Sequence, residues 1–315
     1  MPSRRHLLST ALASAAGLTL MARHAVSFAA ANNANAASTS TEPLSTRAIA
    51  STGEKIPTIG MGTSGSFEVG TSASERDPLR EVLKRFFAGG GRLIDTAPSY
   101  GSAEDVLGEM LSESQLTPKL FLATKLSSIG RQAGLEQFKQ SLARLKMEKV
   151  DLLQVHNLRD WKTQFALIKE LKAQGKVRYT GITHYVESAH DEIADVMQAV
   201  KPDFVQINYS VVSRNAEKRV FPMARELGIA VLANRTFEDG DLFSQVGDKP
   251  LPQWAAQAGL TSWAQAFLKF ALSHPAVTVV IPATSKPERQ SDNLKAGAGP
   301  SLTKEQRREL IAQFA

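Results

Sequence analysis

The chain has 315 residues, of which 43% are hydrophobic and 22% charged, so it can bury a sizeable core. Half of its formal charge of +6 comes from three arginines in the first 36 residues, and the remaining charges are interspersed, which argues against a nucleic-acid-binding surface. The sequence has no cysteine, which excludes disulfides, thiolate metal sites and cysteine nucleophiles; no metal site is predicted.

The first 36 residues have the pattern of an export signal. Arg4 and Arg5 precede an uncharged run, residues 7–22, that is too short to span a bilayer comfortably. This resembles the twin-arginine signal of bacteria, which predicts recognition by the export machinery and a periplasmic or secreted protein without a stable membrane span in its mature form. An uncleaved amphipathic anchor or a disordered tail is the alternative. Residues 37–45 are interpreted as a linker.

Short β-rich runs alternate with helical patterns from residue 46 onward. The runs 46–50 and 56–58 flank a turn containing Gly53 and predict a hairpin. Eight further strands are predicted at 59–62, 93–95, 120–125, 150–156, 179–183, 204–208, 230–233 and 277–282. Helices are predicted between and after them at 78–88, 103–112, 135–145, 162–174, 191–200, 216–227, 263–272, 287–296 and 303–314.

This alternation predicts an α/β fold built on a parallel sheet. An open, doubly wound sheet would need a glycine-rich turn leading directly into a helix, and the segment Gly60 to Gly65 lacks such a helix. Polar residues at the ends of several strands favour a closed barrel instead. We therefore predict a (β/α)8 TIM barrel over residues 46–315, with an N-terminal hairpin and an extra C-terminal helix.

Successive predicted strands end in residues that can handle protons. Asp95 ends the run 93–95 with Tyr100 shortly after it, and Lys125 and His156 end the next two strands. An ammonium lowers the pKa of a phenol, a carboxylate keeps that ammonium charged, and a histidine can hydrogen-bond a carbonyl oxygen. Each residue alone also fits a cap, a strand end or turn packing, but together they suit protonation of a carbonyl whose carbon receives a hydride.

These motifs resemble those of the aldo-keto reductases. The strongest is Leu-Ile-Asp-Thr-Ala-Pro-Ser-Tyr-Gly at 93–101, and the segments 122–125 and 151–156 match the next blocks in order and spacing. The resemblance covers roughly residues 46–293 and implies reduction of an aldehyde or ketone, the small-molecule substrate, with NADPH. It makes Tyr100 the general acid, which Lys125 assists by lowering its pKa. It also implies that Asp95 pairs with Lys125 and that His156 orients or polarises the carbonyl.

The resemblance further implies residues that bind the nicotinamide. Thr183 and His184 occupy the block that binds its carboxamide, where the family commonly has Ser-Asn. Threonine keeps the hydroxyl, and histidine keeps a hydrogen-bond donor but changes the size of the side chain. Gln206 matches the usual carboxamide partner closely.

A second departure from the family lies on the next strand. Asn234 stands where many relatives have an aromatic ring that stacks on the nicotinamide. Arg235 or Phe237 could cover that face, because a planar guanidinium also stacks. The loop containing Gly240 and Leu242 resembles the one that lies over the pyrophosphate.

The last predicted strand leads into a block that holds the adenosine end of the cofactor in the family. Thr284, Lys286 and Arg289 are implied to bind a 2′-phosphate, with Asn293 following in the helix. Ala283 replaces a lysine found in many relatives, so weaker binding of the 2′-phosphate is expected. NADPH is therefore expected, with NADH as the alternative cofactor, and a solvent-exposed basic helix start is the structural alternative.

Two other functions remain open from sequence. A Schiff-base aldolase could use Lys125, although it would leave the Thr284–Arg289 block unexplained. A non-catalytic NADP(H)-binding sensor subunit is the other, and the presence of all four catalytic residue types argues against it. Nothing in the sequence identifies the carbonyl substrate, because the loops over a barrel mouth set selectivity.

Overall fold

The computed structural model describes residues 43–114 and 120–314. The predicted export signal and the first part of the predicted linker lie outside these residues. Within the described ranges, no helix combines the length and the apolar character needed to cross a membrane.

The strands form a hairpin and a parallel barrel. In the hairpin, β1 (Thr46–Ala48) pairs antiparallel with β2 (Lys55–Pro57). The parallel strands are β3 (Met61–Gly62), β4 (Leu93–Asp95), β5 (Phe121–Leu126), β6 (Val150–His156), β7 (Val177–Thr183), β8 (Phe204–Asn208), β9 (Ala230–Asn234) and β10 (Val277–Val280). They pair in chain order, and the parallel bridges Ile59–Val280 and Gly62–Ala283 join the last strand to the first. The predicted (β/α)8 barrel and its hairpin are thus confirmed.

Helices connect the strands and surround the barrel. They are α1 (Ala73–Ala88), α2 (Ala103–Glu113), α3 (Arg131–Leu145), α4 (Trp161–Ala173), α5 (His190–Val200), α6 (Val220–Leu227), α7 (Asp241–Val246), α8 (Trp254–Gln257), α9 (Trp263–Leu272), α10 (Pro287–Lys295) and α11 (Lys304–Ala312). The predicted C-terminal helix corresponds to α11, which begins with a reciprocal capping box between Thr303 and Gln306.

Several helix predictions differ from the structure. Helix α3 begins at Arg131 rather than at residue 135, and α6 begins at Val220 rather than at 216, because Asn215–Glu217 forms a short 3-10 helix. Helix α1 begins at Ala73 rather than at the predicted Pro78, because the Glu75 carboxylate fixes an earlier first turn by accepting hydrogen bonds from the Ser72 hydroxyl and the Gly70 N–H. The short helix α7 falls in the loop that contains Gly240 and Leu242, and α8 lies in a segment for which no element is predicted. They are too short to show a hydrophobic period.

Strand alternation fills the barrel interior with apolar side chains. The hairpin covers its N-terminal end, where the Tyr179 hydroxyl lies 2.9 Å from the Thr52 hydroxyl and donates to Glu54 at 2.7 Å. The interior cluster comprises Ile49, Ile56, Leu93, Phe121, Ala123, Leu152, Tyr179, Phe204, Ala230, Leu232, Val279 and Ile281. The polar residues at the carboxyl ends of the strands therefore rest on a packed apolar layer, which holds them in place.

One glycine makes room for a polar side chain in the layer above. Gly181 on β7 pairs with Gln154 on β6. A Cβ atom at Gly181 would lie 2.7 Å from Cγ of Gln154 and 3.0 Å from Cδ1 of Leu152. The absence of a side chain at Gly181 thus lets Gln154 reach into the barrel.

Candidate active site

A buried ion pair forms the floor of the site. The Lys125 ammonium lies 2.6 Å from Oδ2 of Asp95 and 2.8 Å from the Thr96 carbonyl oxygen, and the lysine and aspartate are 1% and 2% exposed. The second carboxylate oxygen, Oδ1, accepts hydrogen bonds from Gln154 at 2.9 Å and Gln206 at 2.8 Å. Both charges thus have close polar partners and little contact with water, as a buried ion pair requires.

Gln206 and Asn234 extend this network toward the cavity. The Gln206 amide also lies 3.3 Å from Oε1 of Gln154, so its N–H groups are directed within the protein. Asn234 donates to Oε1 of Gln206 at 3.2 Å and to the His184 carbonyl at 3.4 Å. Its own Oδ1 is buried and has no hydrogen-bond partner in the described part of the chain. Gln206 therefore supports Asp95, and Asn234 keeps an unused acceptor.

Tyr100 lies next to the ion pair. The Lys125 nitrogen is 4.8 Å from the centre of its ring. Burial raises the pKa of Tyr100 above its ordinary value, Lys125 acts to lower it, and Asp95 and Glu68 act to raise it. Lys125 thus lowers the pKa of Tyr100 as expected, but the increase in pKa caused by burial is larger. Tyr100 is therefore protonated at neutral pH and ready to donate.

Lys125 keeps its proton despite being buried. Burial lowers its pKa, but the charge of Asp95 and the proximity of Tyr100 act in the opposite direction, and the pKa of Lys125 ends above its ordinary value. The site therefore holds a permanent ammonium beneath the phenol.

His156 completes the set as a neutral ring. Burial, followed by the charges of Lys125 and His184, lowers the pKa of His156 from 6.5 to about 3. Its ring packs edge-on against Tyr100 with 5.9 Å between centres, and its Nδ1 lies 3.4 Å from the Ser99 hydroxyl. A neutral imidazole can donate one hydrogen bond to a carbonyl oxygen without adding charge to the site.

These side chains surround a cavity of about 1170 Å³. Lys125 lies beneath its floor. Of the residues predicted to act in catalysis or cofactor binding, the cavity is lined by Asp95, Tyr100, His156, Thr183, Gln206, Asn234, Arg235, Phe237, Gly240, Thr284, Lys286, Arg289 and Asn293.

His184 and Leu242 do not line the cavity. Nδ1 of His184 accepts hydrogen bonds from the backbone N–H groups of Tyr185 at 3.0 Å and Val186 at 3.4 Å, which ties its ring to the loop. The Tyr185 ring stacks on it, with 5.6 Å between centres, and lines the cavity instead. Leu242 is fully buried in the hydrophobic core.

The loop after β9 crosses toward the loop after β7. Arg235 has a backbone φ of 51°, which places its guanidinium 5.7 Å from the centre of the Tyr185 ring and 2.9 Å from the Asp239 carboxylate. Glu238 and Asp239 also have positive φ values, of 49° and 54°. Such conformations are costly for residues other than glycine and concentrate at functional sites.

The far end of the cavity is basic. Lys286 and Arg289 are exposed where the nine-residue helix α10 begins, and Thr284 caps the preceding turn through a 3.1 Å bond from the Lys286 N–H. A helix N-terminus flanked by two cations favours a phosphate. Asn293 is buried in the same helix and faces the cavity.

Sequence reasoning missed Gln154 and Tyr185. Gln154 lies two residues before His156 on the same strand, so side-chain alternation places both on the inner face and could have revealed it. Tyr185 lies beyond the end of β7, where no periodic pattern indicates direction. Its ring stacks on that of His184 in the structure.

A comparison with known families decides the class of the protein. Residues 58–312 match the model described as the Aldo/keto reductase family. The chain belongs to this family. Membership supports an oxidoreductase that uses a nicotinamide cofactor.

Several characterised relatives are distant in sequence. Methylglyoxal reductase YeaE of Escherichia coli is 28% identical over 71% of this chain and 80% of its own length. Morphine 6-dehydrogenase of Pseudomonas putida is 28% identical over 77% of this chain and 82% of its own length. Aldo-keto reductase YhdN of Bacillus subtilis is 30% identical, but the match spans only 59% of that protein.

Solved structures share the fold. An aldo/keto reductase from Klebsiella pneumoniae, in complex with NADP and acetate, has a TM-score of 0.70 and 24% identity over 82% of this chain and 91% of its own. The holo form of AKR11C1 from Bacillus halodurans has a TM-score of 0.68 and 21% identity, covering 86% of this chain and 96% of its own. The family architecture is thus preserved.

The low pKa of His156 predicts an acid-side loss of stability. Between pH 6.5 and about 3 the unfolded chain binds a proton at this residue that the folded chain does not. The stabilisation is therefore complete above pH 6.5 and declines as the pH falls. Between pH 7 and pH 4.5, we expect the free energy of unfolding of His156→Gln, measured with urea, to fall by about 2–3 kcal/mol less than that of wild type. Equal losses would show that His156 titrates normally in the folded protein.

Proposed function

We propose that the protein is an NADPH-dependent reductase that converts an aldehyde or ketone into an alcohol. The observation that carries this proposal is a protonated phenol, Tyr100, in a cavity wall above the buried Lys125–Asp95 pair and beside the neutral ring of His156. These groups can give a proton to a carbonyl oxygen and stabilise the charge left behind.

The cavity residues fit a nicotinamide dinucleotide. The buried Oδ1 of Asn234 lacks a donor among the described residues, and the amide of a nicotinamide carboxamide would supply one. Thr183 lines the same part of the cavity and offers a hydroxyl. At the opposite end, Lys286 and Arg289 would hold phosphate at the start of α10. When bound, the cofactor supplies the hydride that the carbonyl carbon receives.

The chain's own residues handle the proton. Tyr100 transfers its hydroxyl proton to the carbonyl oxygen, and the Lys125 ammonium stabilises the resulting phenolate. Asp95 keeps Lys125 charged and in position. His156 donates a hydrogen bond to the carbonyl oxygen and orients it. In the reverse reaction, the phenolate of Tyr100 takes the proton of the alcohol.

The state of Lys125 argues against the aldolase alternative. A Schiff base requires an accessible, neutral amine. Lys125 is 1% exposed, bonded to Asp95 and Thr96, and its pKa is raised. Its amine is therefore neither accessible nor neutral.

We also propose that the chain is exported by the twin-arginine route. The support is the Arg4-Arg5 pair before the uncharged run 7–22. Because this route carries folded proteins, the cofactor would be bound before export. In cells expressing the full chain, replacing both arginines by lysine should remove the protein from the periplasmic fraction. An unchanged distribution would contradict the proposal.

Tyr100→Phe tests the general acid directly. Because the hydroxyl is the proton donor, we expect NADPH oxidation with a panel of aldehydes and ketones to fall by about 10²- to 10⁴-fold. NADPH affinity, measured by quenching of protein fluorescence, should change little. Substantial turnover in the variant would reject the role of Tyr100, and wild-type protein that binds NADPH without oxidising it would favour a sensor subunit.

Arg289→Ala tests the phosphate end of the cavity. Losing a charged hydrogen bond should weaken NADPH binding about tenfold or more and leave NADH binding nearly unchanged. Arg308→Ala, which removes an exposed arginine on α11, is the matched control. Equal weakening of the two nucleotides would place the 2′-phosphate elsewhere.

A further inference from the structure

Gln154 is a fully buried polar side chain that faces the ion pair from a neighbouring strand. It lies on β6, level with Lys125 on β5 and with Gly181 on β7. Its exposed fraction is 0%, so it can influence the chemistry only through other residues. Burying an amide costs free energy unless both its donor and its acceptor find partners. The partners of this amide therefore indicate what it is used for.

Both ends of the Gln154 amide are directed at groups of the site. Its Nε2 donates to Oδ1 of Asp95 at 2.9 Å, and its Oε1 accepts from Nε2 of Gln206 at 3.3 Å. The same Nε2 of Gln206 also donates to Oδ1 of Asp95, at 2.8 Å. Asp95, Gln154 and Gln206 thus form a closed triangle of hydrogen bonds, in which a movement of one member disturbs the other two.

The triangle fixes the rotation of the Asp95 carboxylate. Because two amides hold Oδ1, the other oxygen, Oδ2, faces the Lys125 ammonium at 2.6 Å. The two N–H groups aimed at Oδ1 also offset part of its negative charge. Lys125 in turn lies 4.8 Å from the centre of the Tyr100 ring. The position of the ammonium beneath the phenol therefore depends on hydrogen bonds made on the opposite side of the carboxylate.

The neighbouring strand leaves the space that this arrangement needs. A Cβ atom at Gly181 would lie 2.7 Å from Cγ of Gln154, which is about 1 Å less than the usual contact between carbon atoms. The contact involves the base of the glutamine side chain rather than its flexible end, so the whole amide would have to move. An alanine at position 181 would thus displace Gln154 without removing any polar group of the site.

We infer that Gln154 is a positioning residue of the enzyme, which orients the Asp95 carboxylate and thereby fixes the Lys125 ammonium beneath Tyr100. This inference rests on the proposed reductase function. It adds to the catalytic set a residue that touches neither substrate nor cofactor and acts through the ion pair.

The effect of this glutamine should be visible in the acidity of Tyr100. Besides burial, the charges that act on the pKa of this phenol are those of Lys125, which lowers it, and of Asp95 and Glu68, which raise it. The ring of His156, which packs against the phenol, is neutral. Without the glutamine, more of the Asp95 charge and less of the Lys125 charge would act on the phenol. Both changes raise the pKa of Tyr100.

The test uses alcohol oxidation with NADP⁺, because this direction requires the phenolate of Tyr100. The substrate is the alcohol of the best carbonyl compound in the panel. The pH dependence of the single-turnover rate is measured for wild type, Gln154→Met and Gly181→Ala. Methionine matches the length of glutamine without its amide. Gln164→Leu is the control, since this buried glutamine donates to the Asp160 carboxylate at the start of α4 rather than to the ion pair.

We expect the pH midpoint of oxidation to rise by about 0.5–1 unit in Gln154→Met, a fraction of the effect of one hydrogen bond to a charged group. Gly181→Ala should shift it in the same direction, NADPH affinity should not change, and the control should lose stability while keeping the wild-type midpoint. A wild-type midpoint in Gln154→Met overturns the inference, because a purely structural glutamine affects stability alone. If that variant does not fold, the same criterion applies to Gly181→Ala. Wild-type protein that binds NADPH without reducing any carbonyl overturns the reductase, and the inference with it.

Discussion

A carboxylate and an ammonium, both almost fully buried, meet 2.6 Å apart beneath the cavity. Removing two charges from water costs several kcal/mol each, and Coulomb attraction offsets this only if the remaining hydrogen-bonding positions are also used. Here Thr96, Gln154 and Gln206 occupy them. The three strands β4, β5 and β6, together with β8, are thereby tied to one another at their carboxyl ends.

The protonation states around the pair follow from it. Lys125 is held charged by Asp95, and that charge is among the causes that keep His156 neutral. The same charge opposes the effect of burial on Tyr100. The cavity therefore presents one proton donor, one neutral hydrogen-bonding ring and one fixed positive charge, which is the distribution that carbonyl reduction requires. Burial and the ion pair extend the pH range over which the phenol is protonated and the imidazole is neutral.

Strand ends were predictable from sequence because side chains alternate with a period of two. Asp95, Lys125 and His156 lie at the ends of consecutive strands. A parallel barrel therefore brings them to one rim, independently of the conformations of the loops. The positions of His184 and Leu242 were not predictable in this way. Each lies beyond a strand, where local hydrogen bonds or packing in the core set the direction of the side chain.

Family membership and substrate choice depend on different parts of the molecule. The motifs that identify an aldo/keto reductase lie on the barrel strands and in the loop that contains Tyr100. The loops after β3, β6 and β7 supply Ser64, Asn157 and Tyr185 to the lining of the cavity. Loops over a barrel mouth vary more readily than the strands that carry them, so substrate choice does not follow from the fold.

The coupling free energy between Asp95 and Lys125 is the most direct measure of the constraint on which the site depends. It is obtained by comparing the unfolding of Asp95→Asn, Lys125→Met and the double variant with that of wild type. If the ion pair stabilises the fold, the free energy of unfolding should fall by about 3–5 kcal/mol in each single variant, and the fall in the double variant should be clearly smaller than the sum of the two. Additive losses would contradict it, because they would mean that the two charges do not stabilise each other.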